Sequence, residues 1–363
     1  MAPKMPTALG YRMPAEWEPH AATWLAWPHN TVTWPDQLAQ VQDIFLRIIA
    51  AVHEHETVHL LVHDTATAAQ VREHLDRSGV MPARVVLHER PTADAWLRDS
   101  GPIFLTAASG ASQPVAISDW QFNAWGGKYS DLLADNDLPQ YIAALLNIPR
   151  FEPGMILEGG SIDVNGRGSC LTTEQCLLNP NRNPHLQRSD IERCLHDYLG
   201  VRQVIWLGQG IAGDDTDGHV DDIARFVDPT TVVCVVEEDP HDINYEVLQD
   251  NYRRLQVATD QHGRALRVIP LPMPGPVGPP SARLPASYAN FYIANGVVLV
   301  PTYDHPNDQC ALMILQQVFP DRRVLGLPCE PLVWGLGAIH CVTQQQPAPT
   351  PSGRPAPSGR GAE

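Results

Sequence analysis

With 363 residues, 44% of them hydrophobic and 18% charged, the chain is long enough to bury a real core. Its composition is too ordinary for a disordered, coiled-coil or collagen-like polymer. Its 25 Lys and Arg face 41 Asp and Glu, a formal charge of −16, so the mean field repels nucleic acid and anionic membranes and suits a cationic small molecule.

From the N-terminus, MAPKMPTALGYRMPAEWEPH lacks the apolar run of a secretion signal, and no stretch reaches the ~18 apolar residues of a membrane helix. A cytoplasmic protein is expected. TVHLLVH (57–63) reads as a buried strand, the following segment through Leu75 as a helix ended by Gly79, and ARVVLHE (83–89) as a further strand. Ser189 followed by Glu192 has the spacing of a capping box opening the helix IERCLHDYLG, after which VRQVIWL is strand again. ARFVDPTTVVCVV predicts a hairpin turning at Asp228-Pro229. NFYIANGVVLV predicts another at Asn295-Gly296, with the dipeptide of a two-residue turn. LPMPGPVGPPSARLP (271–285) reads as a long surface loop. The stretch 347–363 reads as a disordered Pro/Gly/Ser-rich tail after a folded region of 1–346. Helices alternating with both strands and hairpins define an α/β chain that is not purely parallel.

Polar motifs close several apolar runs: Asp99 in LRDSGP, Glu158 in LEGGS, His219 in TDGHVD and Cys341 in IHCVT. They are separated by 59, 61 and 122 residues, the last twice 61. Such spacing is a signature of repeated modules, and it would set one polar side chain from each around a common centre. Competing motifs are weaker. GQGIAG (208–213) matches a dinucleotide fingerprint, but DDTDGHVDD follows and would aim carboxylates at a pyrophosphate. Setting Gly218 at position 6 of a calcium loop puts Gly213 and Ala224 where carboxylates are required. His219-x-Asp221 alone is a weak metal signal, and no GxSxG occurs.

Taken singly, Asp99 could pair with Arg98, Glu158 could be a turn carboxylate, Trp96 and Trp125 could be core residues or a cation-stacking wall, and Cys341 could be a buried thiol like the other six. Those six (Cys170, Cys176, Cys194, Cys234, Cys310, Cys329) lack CxxC pairs and zinc spacing, as expected of thiols in a reducing compartment. Taken together, a cysteine, a histidine and several carboxylates make a nucleophile, a proton shuttle and a receptor for a cation. A guanidinium fits, because carboxylates accept paired N–H bonds from its planar fork.

The texts MPAEWEPH, DAWLRDSGP, FNAWGGK, LEGGSIDVNG, TDGHVDDIARF and IHCVTQQQP resemble the agmatine deiminase family of the guanidino-group-modifying superfamily, related to bacterial peptidylarginine deiminases. The resemblance covers roughly residues 11–347. It implies a five-bladed α/β propeller (pentein) of ββαβ modules, with Cys341 as nucleophile and His219 as acid/base. Asp99 and Asp221 would bind the guanidinium and Glu158 would orient it. Trp96 and Trp125 are the candidate walls of the substrate site. The implied reaction is hydrolysis of agmatine to N-carbamoylputrescine and ammonia through a covalent thiouronium, on a route to putrescine, with no cofactor and no metal. One departure stands out. The family typically reads GGGNIHC before its nucleophile, and this chain reads GLGAIHC, with Leu336 and Ala338 in place of a glycine and an asparagine. The expected partner is a small guanidino cation, with a homo-oligomer as an open assembly. The alternatives are a deiminase of peptidyl or substituted arginine and a non-catalytic guanidinium- or polyamine-binding protein.

Overall fold

The computed structural model describes residues 5–107 and 111–349. Its strands form five separate sheets of three or four strands, and one motif recurs in all of them. Two antiparallel strands are followed by a helix, and a third strand then returns parallel to the second. A parallel return requires a crossover, and the helix supplies it.

In the first sheet Ile103–Ala107 pairs with Val115–Ser118, helix Leu138–Leu146 crosses, and Arg150–Phe151 returns. The second runs Asp163–Val164, Ser169–Thr173, helix Arg188–Leu199, Gln203–Leu207. The third runs Ala224–Phe226, Thr231–Val236, helix Tyr245–Val257, Arg267–Pro272. The fourth runs Tyr292–Ile293, Val297–Thr302, helix Asn307–Val318, Arg323–Pro328. The fifth joins the two ends of the described chain. Gln344–Pro347 pairs antiparallel with His20–Ala26, helix Leu38–Val52 crosses to Thr57–Val62, and helix Thr65–Arg77 leads to one more parallel strand, Val85–Glu89.

The helices lie against the sheets by their apolar stripes. Leu38–Val52 buries Val41, Ile44, Phe45, Ile48, Ile49 and Val52, the spacing of one helical face. Middle strands such as Val297–Thr302 are buried along their whole length, which is why they read as unbroken apolar runs.

Local details depart from expectation in three places. The capping box is built by Gln187 and Asp190, so Ser189 lies inside the helix rather than at its cap. The Asn295-Gly296 turn closes the fourth hairpin, yet neither residue takes a positive φ. Asn295 instead exchanges hydrogen bonds with the backbone of His20, tying the fourth sheet to the fifth. Finally, the ordered chain passes the expected boundary at 346. Pro347 belongs to the strand pairing with His20, and the Ala348 N–H donates to the Pro19 carbonyl. Most of the expected tail, 350–363, lies outside the described residues.

Candidate active site

Each sheet is entered through a short segment that turns toward one place. Asp99 sits in the turn Leu97–Ser100, Glu158 opens the turn Gly159–Ser161, and His219 opens the turn Val220–Asp222, which contains Asp221. Cys341 lies in the turn Ile339–Val342. The fourth sheet contributes Asn290, just before Tyr292, which fills the doubled gap in the sequence spacing. All five expected polar residues converge, and all are buried.

Gly160 marks the point of convergence. A Cβ at this residue would lie 2.6 Å from His219 Nδ1, 2.9 Å from Asp99 Oδ1 and 3.0 Å from Asp221 Oδ2. At Gly159 it would lie 2.2 Å from the Arg98 carbonyl. Neither glycine has a positive φ, so the pair is needed for close approach rather than for backbone freedom.

Asp99 accepts from the Gly160 N–H and from the Trp125 indole, each at 2.9 Å. That indole is aimed by an unusual turn, since Ala124, Trp125, Gly126 and Gly127 are all left-handed. Glycine takes this conformation freely, whereas alanine and tryptophan do so at a cost. Asn123 steadies the turn by accepting from the Gly126 N–H. Arg98 is not the partner of Asp99. Its guanidinium reaches His340 O, Gln344 Oε1 and Gln345 Oε1, locking the Asp99 turn to the Cys341 turn.

Around Cys341 the Sγ is 3.2 Å from Asn290 Nδ2 and 4.0 Å from Asp221 Oδ2. Burial, and then the carboxylates of Asp221, Asp222 and Asp99, push its thiol well above the usual range. Left alone, this cysteine is a neutral thiol. His219 is driven the other way in charge: burial disfavours its cation, but Asp99, Cys176 and Asp221 outweigh burial and raise its pKa well above the ordinary value. Among the described residues neither ring nitrogen has a hydrogen-bond partner, and Glu158 Oε2 and Asp221 Oδ1 are equally unpartnered. Buried acceptors without donors are costly and mark the place of a missing partner.

Several residues that sequence reasoning missed hold this set. His340 bridges Asp221 Oδ2 at 2.6 Å and Glu16 Oε2 at 2.8 Å, and Glu16 is paired with the fully buried Arg225 at 2.8 Å. Arg182 donates to Glu158 Oε1 at 2.7 Å. His340 stands beside Cys341 in IHCVT and Glu16 lies in MPAEWEPH, so both were inside quoted motifs. Asn290 and Arg182 carried no local signal. Cys176 stands with Glu158 and His219 in a buried group whose S, O and N atoms lie within 4.8 Å of one another. That donor set suits a borderline metal such as zinc, although Arg182 already neutralises Glu158.

Above the buried set lies a cavity of about 250 Å³, lined by Asp99, Cys341, Trp96, Trp125, Trp334 and Leu336 among others. Asp94, Asp131 and Asp215 also face it. Lys128, which follows the WGG turn in sequence, is engaged by Asp215 and Asp217. Both tryptophans singled out from sequence therefore form cavity wall as well as core.

The model of the Porphyromonas-type peptidyl-arginine deiminase family matches residues 12–347. This chain belongs to that family. Among curated proteins, the family member is similar to the agmatine deiminase of Medicago truncatula, 40% identical over 94% of this chain and 98% of the relative. The agmatine deiminase of Pseudomonas aeruginosa is also 40% identical, over 95% and 97%. The solved agmatine deiminase of Enterococcus faecalis superposes with a TM-score of 0.88 at 35% identity, covering 96% of this deiminase-family chain and 99% of that one.

Proposed function

We propose that the protein is an agmatine deiminase, hydrolysing the guanidinium of agmatine to a ureido group with release of ammonia, on a route to putrescine. The observation that carries this reading is a thiol, Cys341, that lines the cavity together with Asp99, over buried carboxylates whose oxygens Glu158 Oε2 and Asp221 Oδ1 have no hydrogen-bond donor among the described residues. A guanidinium supplies the missing N–H donors and the positive charge.

The reaction runs in two halves. The arriving cation offsets the carboxylates that suppress Cys341, the S–H proton is released to solvent, and the Sγ attacks the guanidinium carbon, forming a C–S bond as the C–N π bond opens onto nitrogen. His219, protonated among Asp99 and Asp221, gives its proton to the departing nitrogen, and the C–N bond breaks to leave a thiouronium and ammonia. Water then enters. His219 accepts one of its protons, the oxygen bonds to the carbon, the C–S bond breaks and the ureido product leaves. Asp99, Asp221 and Glu158 hold the guanidinium, with Trp96 and Trp125 as walls. Asp94, Asp131 and Asp215 at the cavity suit the amine end of agmatine, and among the described residues its lining offers no Lys or Arg to a carboxylate.

The five sheets are read as the blades of a five-bladed propeller about a pseudo-fivefold axis. The shared ββαβ order and the pairing of Gln344–Pro347 with His20–Ala26 support that reading. Among the described residues no helix is long and apolar enough to cross a membrane. The seven free cysteines support a cytoplasmic location.

The deciding experiment measures ammonia release from agmatine, free arginine and a blocked arginine peptide beside a Cys341→Ala control. Turnover of agmatine, lost in the variant, is expected. Turnover of the peptide alone would make the protein a peptidylarginine deiminase, and tight guanidine binding without turnover would make it a binding protein.

A further inference from the structure

The segment that carries the nucleophile turn contains a leucine where the backbone asks for a glycine. Leu336 has φ +69°, in the left-handed region that a branched side chain enters at a cost. Its neighbours explain why position 336 alone can carry a side chain. A Cβ at Gly335 would lie 2.5 Å from Trp34 Nε1, and one at Gly337 would lie 2.6 Å from the Trp96 ring and 3.1 Å from Cys341 Cβ. The loop is thus pressed against two tryptophans and the nucleophile, and its one free position faces the cavity.

Strain that persists at a site lining is stored there for a reason, since a glycine at 336 would remove it. The half-buried Leu336 packs on the core and adds aliphatic wall beside Trp96 and Trp334, in a cavity whose other faces carry carboxylates. We propose that Leu336 is a specificity-determining residue that gauges the carbon chain behind the guanidinium, accepting an unbranched alkyl chain and excluding guanidines substituted on that chain. The proposal rests on the guanidine deiminase reading above and refines its substrate class to linear ω-amino-alkylguanidines.

The test compares wild type, Leu336→Gly and Leu336→Ala on agmatine and on N-acetylarginine amide, which carries the same guanidinium on a chain bulky at its far carbon. Loss of an apolar wall contact is expected to raise KM for agmatine by roughly tenfold with kcat changed far less. The ratio of kcat/KM for the blocked arginine to that for agmatine should rise at least about tenfold in both variants. Leu336→Gly should also melt no lower than Leu336→Ala, because glycine relieves the left-handed backbone and alanine does not. Unchanged ratios in both variants, with wild type active on agmatine, would overturn the role of Leu336 and leave the deiminase reading standing. A wild-type enzyme that turns over neither guanidine would overturn that reading and the inference with it.

Discussion

Asn290 grips the Cys341 turn with both ends of one amide. Its Nδ2 donates to Cys341 Sγ at 3.2 Å, and its Oδ1 accepts from the backbone N–H of His340 at 2.9 Å. A donor aimed at sulfur favours the thiolate, and the acceptor fixes the turn that presents it. Asn290→Ala is expected to lower kcat by roughly 10–100-fold while KM stays within a few fold. Steady-state kinetics decide this, with circular dichroism confirming the fold, and a loss confined to KM would contradict it.

The neutral resting thiol predicts charge-selective alkylation. At pH 7 a neutral reagent such as iodoacetamide should inactivate the free enzyme slowly. Its rate should still be climbing at pH 9, because burial and the carboxylates of Asp221, Asp222 and Asp99 hold Cys341 well above the ordinary thiol range. A cationic chloroacetamidine carries the missing charge to the site and should react faster by roughly 100-fold or more. Equal second-order rates for the two reagents would mean that Cys341 is ionised without help.

Gly160 offers a substitution that spares the backbone and fills the site. Its φ is not positive, so alanine is conformationally acceptable, but the new methyl would meet His219, Asp99 and Asp221. Gly160→Ala should fold and lose turnover by roughly 100-fold, in line with displacement of reacting groups by about 1 Å. Near-normal activity would show that the three residues do not act at that point.

Stability should depend on pH through Glu16. Burial opposes its charge, but Arg225, His340 and Arg98 hold its pKa well below the ordinary carboxylate value of 4.5. Its carboxylate therefore contributes its full stability above the unfolded value of 4.5. That contribution falls away as the pH drops from there through the lowered native pKa. Glu16→Gln should cost about 3 kcal/mol at pH 7 by leaving a fully buried arginine short of a charge. Urea denaturation should show the gap between wild type and variant narrowing below pH 4.5. A gap that widens there would reverse the assignment.

Chelation provides a separate check on the buried Glu158, Cys176 and His219. With Arg182 already paired to Glu158 at 2.7 Å, overnight EDTA treatment should leave ammonia release unchanged, while a cysteine alkylator abolishes it. Loss of activity restored by zinc would turn this cluster into a working metal centre.

Much of the site was written in local text. Asp99, Glu158, His219, Asp221 and Cys341 each end an apolar run or open a strand, and the glycines beside Glu158 announce close approach. What escaped was whatever depends on contact between distant segments. Asn290 lies in YANFY, which reads as plain strand, and reaches Cys341 across 51 residues. Arg182 looks like any surface arginine until the fold brings it onto Glu158. Arg98 adjoins Asp99 in sequence, yet the turn sends its guanidinium to Gln344 and Gln345 on the last strand. The capping box shifted by two residues because several polar side chains near 188 could serve, and local spacing alone does not choose among them.

The strand Gln344–Pro347 closes the fifth sheet against His20–Ala26, and Cys341 lies immediately before it. Cys341 can therefore be seated only when that strand docks on a partner more than 300 residues earlier in the chain. A nascent or C-terminally clipped chain would carry the carboxylates and the histidine without a positioned thiol. Reactivity is thereby withheld until the two distant strands have paired, so that a partly folded molecule does not present a positioned sulfur.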